Sequence, residues 1–313
     1  MTDTANDIFM WNTLCNQSVN MRLILIKSIL LSCAWLPLPI IHGLGTIIGW
    51  GFMIIPNRVS RDTKINIGLC FPALTQIQQR RLIRKSLIET GKTIIETSAL
   101  WMLPGDKTLR LIRYIDGLEV ALKARLTGSG LILATPHLGA WEAAGLYCTA
   151  RFGMTCLYRP LRMIELEELV RDARCRLGAN YLPANAIGIR AVYKAVVQGG
   201  TVAMLPDQEP QTGSGSYAPF FGIPAYSMTL LARLAKRTGA PIVFTYCERL
   251  ARGRGYHIHF REAPQGVYSM DTDSAVTSMN QAIEGLIREC PAQYQWSYRR
   301  FSIRPEGEGS FYN

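Results

Sequence analysis

The chain has 313 residues, enough to bury a large core as one big domain or two modest ones without crosslinks. Hydrophobic residues make up 48% and charged ones only 18%, and mean hydropathy is +0.09, a balance that points towards a membrane rather than a freely soluble domain. The formal charge of +11 favours acidic partners, but no run of Lys or Arg exceeds two residues and none is regularly interleaved with aromatics, which argues against nucleic acid.

Residues 1–20 form a polar segment carrying Asp3 and Asp7, with no basic stretch before Arg22, so the apolar run that follows does not read as a cleaved signal peptide. Residues 21–56, MRLILIKSILLSCAWLPLPIIHGLGTIIGWGFMIIP, contain only Arg22, Lys27 and His42 as chargeable groups. A straight span needs about 20 apolar residues, and Pro37 and Pro39 interrupt this one. The expectation is a broken, membrane-anchoring element: a helix near 22–35 and another near 40–55, spanning the bilayer or lying in its interface. Gly45 and Gly49 form a GxxxG that suits close packing on a second helix. The competing reading is a buried helical hairpin of a soluble protein.

Residues 57–313 read as a catalytic domain. Apolar positions between Arg58 and Trp101 recur at helical spacing with a basic opposite face, and Pro104 and Gly105 end the pattern. LRLIRYIDG predicts a strand, with a helix over 118–126. Short apolar runs then alternate with helical patterns: LILAT, MTCLYR, TVAMLP, PIVFTYCE and GYHIHFRE against EELVRDARCRLG, RAVYKAVVQGG and MTLLARLAKRTGA. The fold class is α/β, with a central, mostly parallel sheet flanked by helices behind the N-terminal apolar helical anchor. PQTGSGSYAPFFGIP reads as a loop of the kind that carries ligands, and the tail EGEGSFYN as frayed. The eight scattered cysteines show no CxxC and read as reduced, which places the catalytic body on a cytosolic face.

The stretch ATPHLGAWEAAG carries the chemistry. On one helix His137 and Glu142 would stand about 140° apart. Pro136 instead ends the strand at Thr135 and puts His137 in a turn, with Glu142 in the first turn of the next helix. Glu142 can then orient the imidazole, leaving the other ring nitrogen to act as general base on a hydroxyl, while the unpaired amides at the N-terminus of the helix after His137 are candidate donors to an oxyanion. TGSG at 127–130 precedes a strand rather than following one, which speaks against a dinucleotide fingerprint.

These blocks resemble, in order, those of the bacterial late lipid A acyltransferases, a branch of the glycerolipid acyltransferase superfamily marked by His, four residues, then Asp or Glu. INIGLCFPALTQIQQRRLIRKSL resembles the family's N-terminal block, HLGAWE its catalytic pair, LYRPLR its Tyr-Arg-Pro element, LPDQEPQTGSGSYAPFFG its Pro-Asp-Gln segment and PAQYQWSYRRFSIRPEG its C-terminal signature, covering most of 20–309. The resemblance implies transfer of an acyl chain from the phosphopantetheine of acyl carrier protein to the hydroxyl of a 3-hydroxyacyl chain on a lipid A precursor. It implies the cytoplasmic face of a bacterial inner membrane, and no further cofactor or metal. His137 would be the base, Glu142 its orienter, and Arg159, Arg174, Asp207 and Gln208 substrate-binding residues, with bracing of Arg159 as an alternative role for the last two. LRMIELEE after the Tyr-Arg-Pro element and EPQTG after Pro-Asp-Gln depart from the family pattern and bear on acceptor recognition. The alternatives are a lysophospholipid or other glycolipid acceptor, or a non-catalytic membrane-binding relative. His257 and His259 share a strand face but have no third metal ligand at an evident spacing. Arg299 and Arg300 are expected on a surface, solvated or facing headgroups or carrier protein.

Overall fold

The structure, a computed structural model, describes residues 28, 30–160 and 163–312, with Ile164 and Glu165 by backbone alone. The polar segment 1–20 and most of the expected first apolar helix lie outside the described residues; 30–34 are helical. After a break at Pro37 the second helix, α1, runs Leu38–Ile54, with Pro39 in its first turn where a missing N–H is harmless. α2 (Arg58–Cys70) and α3 (Gln76–Met102) divide the long helical pattern, and Thr75 with Gln78 forms a capping box that starts α3.

The GxxxG packs as its small residues suggest. A Cβ on Gly45 or Gly49 would collide with the α3 backbone at Lys92 or Ile88, and one on Gly91 with the carbonyl of Gly45. Ile41, His42, Gly45 and Gly49 face α3, while Ile40, Leu44, Ile47, Trp50 and Ile54 are exposed. α1 is therefore neither fully buried nor alone. Among the described residues no single helix is long and apolar enough to cross a membrane; α1 and α2 qualify only as a pair bent by 82°. The anchor remains an expectation resting on α1's exposed face.

The remaining chain alternates as anticipated: α4 (Gly105–Arg110), β1 (Ile112–Asp116), α5 (Leu118–Leu126), β2 (Leu131–Ala134), α6 (Trp141–Phe152), β3 (Met154–Tyr158), α7 (Ile164–Cys175), β4 (Asn180–Pro183), α8 (Ala186–Val197) and β5 (Thr201–Met204). A hairpin of β6 (Gly215–Phe220) and β7 (Ile223–Met228) follows, then α9 (Leu230–Thr238), β8 (Ile242–Arg249), β9 (Tyr256–Glu262) and α10 (Thr272–Glu289). The seven-stranded sheet has the order β1-β9-β8-β2-β5-β3-β4. β8, β2, β5, β3 and β4 are mutually parallel; β9 returns antiparallel to β8, and β1 runs parallel to β9. Both faces are covered. Ile132 and Ala134 of β2 pack with Leu231 and Ile283, whereas Leu131 and Leu133 pack with Ala121 and Ala143, which is why this strand reads as an unbroken apolar run.

Three expectations are corrected. The expected ligand loop is only partly one: 210–214 is loop, and Pro210, Gln211 and Ser214 line the cavity described below, but the rest is the β6–β7 hairpin, turned at Phe221 and Gly222, both with positive φ, with Phe221 held between Phe71 and Trp296. The tail is docked: Tyr312 is buried, and its hydroxyl donates to Asn66 at 2.6 Å. Arg300 is interior, donating to the Tyr226 carbonyl and the Ser227 hydroxyl, and Arg299 pairs with buried Asp62 at 2.7 Å. The seven described cysteines are free thiols, most of them buried.

Candidate active site

The turn between β2 and α6 is built by distant chain. Thr135 N–H still donates to Met204 in the β5 ladder, and Pro136 stops the strand there. Leu138 then bridges to Tyr294, Gly139 N–H donates to the Gln293 carbonyl, Ala140 N–H to the Cys247 carbonyl, and Gln295 N–H to the carbonyl of His137. Gly139 has φ +66°, and a Cβ there would strike the Cys247 carbonyl, so only glycine fits. The Arg249 guanidinium closes the underside by donating to the Gly139 carbonyl at 2.9 Å.

The turn presents His137 to a cavity of about 1220 Å³. Asp207, just past the end of β5, grips His137 twice: Oδ1 lies 2.9 Å from Nδ1 and Oδ2 accepts from the backbone N–H at 2.9 Å. Burial alone would raise the pKa of Asp207, but attraction to His137 and the hydrogen bonds from it hold the carboxyl below its ordinary value. A carboxylate so placed accepts from Nδ1–H, which leaves Nε2 as the basic nitrogen. The Gln208 amide lies 3.2 Å from Nε2 and also reaches Gln295, and Trp141 packs edge-on to the imidazole at 5.3 Å.

This corrects the expected pairing. Among the described residues the imidazole's hydrogen-bond partners are Asp207 and Gln208, whereas both oxygens of Glu142 accept from Arg174, one from Nε at 3.1 Å and the other from Nη2. Spacing could bring Glu142 towards the turn but could not show that α7 supplies a cation for it. Burial would lower the pKa of Arg174, yet the Glu142 charge and hydrogen bonds raise it, so the guanidinium keeps its charge beside the cavity. Asp207 is 1% exposed and turned towards His137, so it neither contacts an acceptor nor braces Arg159. The amides of Leu138, Gly139 and Ala140 already donate to Pro136, Gln293 and Cys247, which confines the oxyanion expectation to the first-turn amides of α6, Trp141 to Ala143.

Arg159, Arg174, Glu142 and Gln208 line the same cavity as His137. Its inner wall is apolar, with Leu133, Ala144, Gly145, Cys148, Met154 and Cys156. Sequence reasoning missed three further arginines that line it: Arg190 on α8 and Arg233 and Arg237 on α9. The i,i+4 spacing of the last two in MTLLARLAKRT was a legible signal for one basic helical face, but not for which cavity that face would meet.

Comparison with known proteins agrees with this architecture. The family model for bacterial lipid A biosynthesis acyltransferase matches residues 13–302. The chain is similar to the lipid A biosynthesis palmitoleoyltransferase of Escherichia coli (strain K12), 30% identical over 281 residues, covering 88% of this chain and 90% of that protein. It is also similar to the lauroyltransferase of the same organism, 27% identical over 282 residues with the same coverage. A phosphatidylinositol mannoside acyltransferase of Mycobacterium tuberculosis is 32% identical over 154 residues, 48% of each chain. A parallel α/β sheet that carries an Asp-held histidine at the rim of an apolar cavity, on a chain matched along most of its length, belongs to the bacterial lipid A biosynthesis acyltransferase family, and the protein is an acyltransferase.

Proposed function

We propose that the protein transfers a fatty acyl chain from acyl carrier protein to the hydroxyl of a 3-hydroxyacyl chain on a lipid A precursor. The observation that carries this reading is the Asp207–His137 pair opening on a cavity with an apolar wall and arginines around it. His137 Nε2 takes the proton of the acceptor hydroxyl while Asp207, on Nδ1, holds the ring and stabilises the imidazolium. The oxygen attacks the thioester carbonyl, the C–S bond breaks, and the imidazolium returns the proton to the departing thiolate. No protein nucleophile or bound metal takes part in this scheme. Arg159, which lines the cavity, is the proposed donor to the oxyanion. Arg190, Arg233 and Arg237 suit the phosphates of the acceptor or the acidic carrier.

The membrane is reached through the exposed face of α1, where Ile47 is 67% and Ile54 76% exposed and Trp50 adds an aromatic of the kind favoured at bilayer interfaces. This reading puts the protein on the cytoplasmic face of the inner membrane. A second acceptor class, another glycolipid, is favoured only by the similarity to the mycobacterial mannoside acyltransferase. Membranes containing the protein, supplied with acyl carrier thioester and either a lipid A precursor or a mannosylated phosphoinositide, distinguish the two. Acyloxyacyl product from the first acceptor, lost in His137→Ala with membrane association intact, is the expected result; full turnover by His137→Ala refutes the base assignment.

A further inference from the structure

His257 and His259 lacked a third ligand in the linear sequence; the sheet supplies one. In the β8–β9 ladder Glu248 lies directly opposite His257, and Tyr246 opposite His259. Because alternate residues share a face, Glu248, His257 and His259 all project to the side of the sheet away from the Tyr256, Ile258 and Phe260 core. One ligand atom from each of the three lies within 4.8 Å of the others. His259 Nε2 and Glu248 Oε2 are 3.3 Å apart. Two donors bound at about 2.0–2.1 Å in tetrahedral geometry are roughly 3.3 Å apart, so this edge already has the required length.

The surroundings fit a cation too. Tyr246 stacks on His259 at 4.5 Å and 11°, fixing the ring plane. Asp116, from β1, lies 3.7 Å from His259 Nδ1, beyond hydrogen-bond range but close enough to add negative charge beside the ring. Asp116, Glu248 and Glu289 surround Arg261, which pairs with Asp116 and Glu289 and approaches His259 Nδ1 at 3.4 Å. His257 and Glu248 are partly exposed, so an ion can enter from solvent. None of the three lines the cavity around His137.

We propose that Glu248, His257 and His259 form a binding site for one divalent late transition-metal ion of the zinc class, completed by water. Two imidazoles and one carboxylate select zinc, cobalt, nickel or copper over magnesium or calcium. The ion staples β8 to β9 at the segment that braces the catalytic turn, since Cys247 and Arg249, which flank Glu248, both bond to it. Its role is structural, separate from the acyl-transfer chemistry.

The test titrates cobalt(II) into tag-free, full-length protein and reads the visible bands of a low-symmetry, four-coordinate ion together with the unfolding temperature. One equivalent should bind, be displaced by zinc but not by magnesium, and raise the unfolding temperature. His257→Ala and Glu248→Gln should each weaken binding by at least about tenfold while keeping the unliganded protein's circular dichroism. Wild-type protein with no such bands, or either variant retaining wild-type affinity, overturns the proposal. If His257→Ala does not fold, Glu248→Gln decides the matter alone, because it removes the carboxylate charge with little change in volume.

Discussion

Arg249 and Glu96 meet with each side chain 1% exposed, and the guanidinium that binds this carboxylate also holds the carbonyl of Gly139, two residues from His137. Glu96 accepts as well from Tyr256 and pairs with His42 of α1 at 2.9 Å, and Arg249 also reaches Glu89 and Thr93. The exposed apolar helix, the long helix beneath it and the turn that carries His137 thus share one buried charge network.

Removing one partner leaves the other charge buried without its closest counter-ion, with Glu89 remaining for Arg249 or His42 for Glu96. Glu96→Gln or Arg249→Met should each destabilise the fold by about 3–5 kcal/mol, and the double variant by clearly less than the sum. Chemical unfolding followed by tryptophan fluorescence measures the three values; additive losses would show that the two groups do not act on each other.

Acid should dismantle the same network. Burial would raise the Glu96 pKa, but Arg249 and His42 pull it down to about 2 from an ordinary 4.5. Asp207 is likewise held below its ordinary value by His137. Carboxylates with depressed folded-state pKa values contribute stability above the unfolded value and lose it as pH falls towards the folded one. Stability should therefore drop between about pH 4.5 and 2, with a shallower slope in Glu96→Gln. Equal slopes in the two proteins would remove Glu96 as the cause.

Asp207→Asn keeps the size of the side chain but not the charge facing Nδ1, and should lower kcat by about 100-fold or more. Glu142→Gln leaves the Asp207–His137 pair in place and removes the partner of Arg174, so its main effect should fall on stability or KM. Steady-state kinetics of both variants with carrier-bound substrate separates the roles; a larger kcat loss in Glu142→Gln would return Glu142 to the imidazole.

A Cβ on Gly145 would meet only the Tyr181 hydroxyl, at 3.7 Å, across the apolar wall of the cavity. Gly145→Leu should therefore fold and shift transfer towards shorter acyl chains, by about 1–3 kcal/mol for each methylene excluded. Competition between carrier-bound acyl chains of different length reads the shift directly. Unchanged preference would mean the chain lies elsewhere in the cavity.

Gly45→Ala places a methyl against the α3 backbone at Lys92 and should destabilise the fold by about 1–3 kcal/mol through overpacking. Gly43→Ala, which meets nothing within 4 Å, is the matched control. Thermal unfolding of the pair checks the contact between α1 and α3.

Local rules made most of this protein legible from its residues. Apolar runs marked β2, β3, β5, β8 and β9, helical spacing marked their crossovers, Pro136 marked the end of β2 and the turn after it, and the ordered blocks marked the family. These signals are carried by neighbours in the chain, where periodicity and backbone restriction act directly. The parts that stayed hidden depend on contacts between distant segments. Asp207 lies 70 residues from His137 and Arg174 lies 32 from Glu142, so spacing put the wrong carboxylate beside the imidazole. The register of β8 against β9 decided that Glu248 faces His257, and packing on Asn66 decided that a polar tail is anchored. Charge pairing and hydrogen bonding in a low-dielectric interior depend on what the fold brings within a few ångströms, and only the tertiary structure sets that.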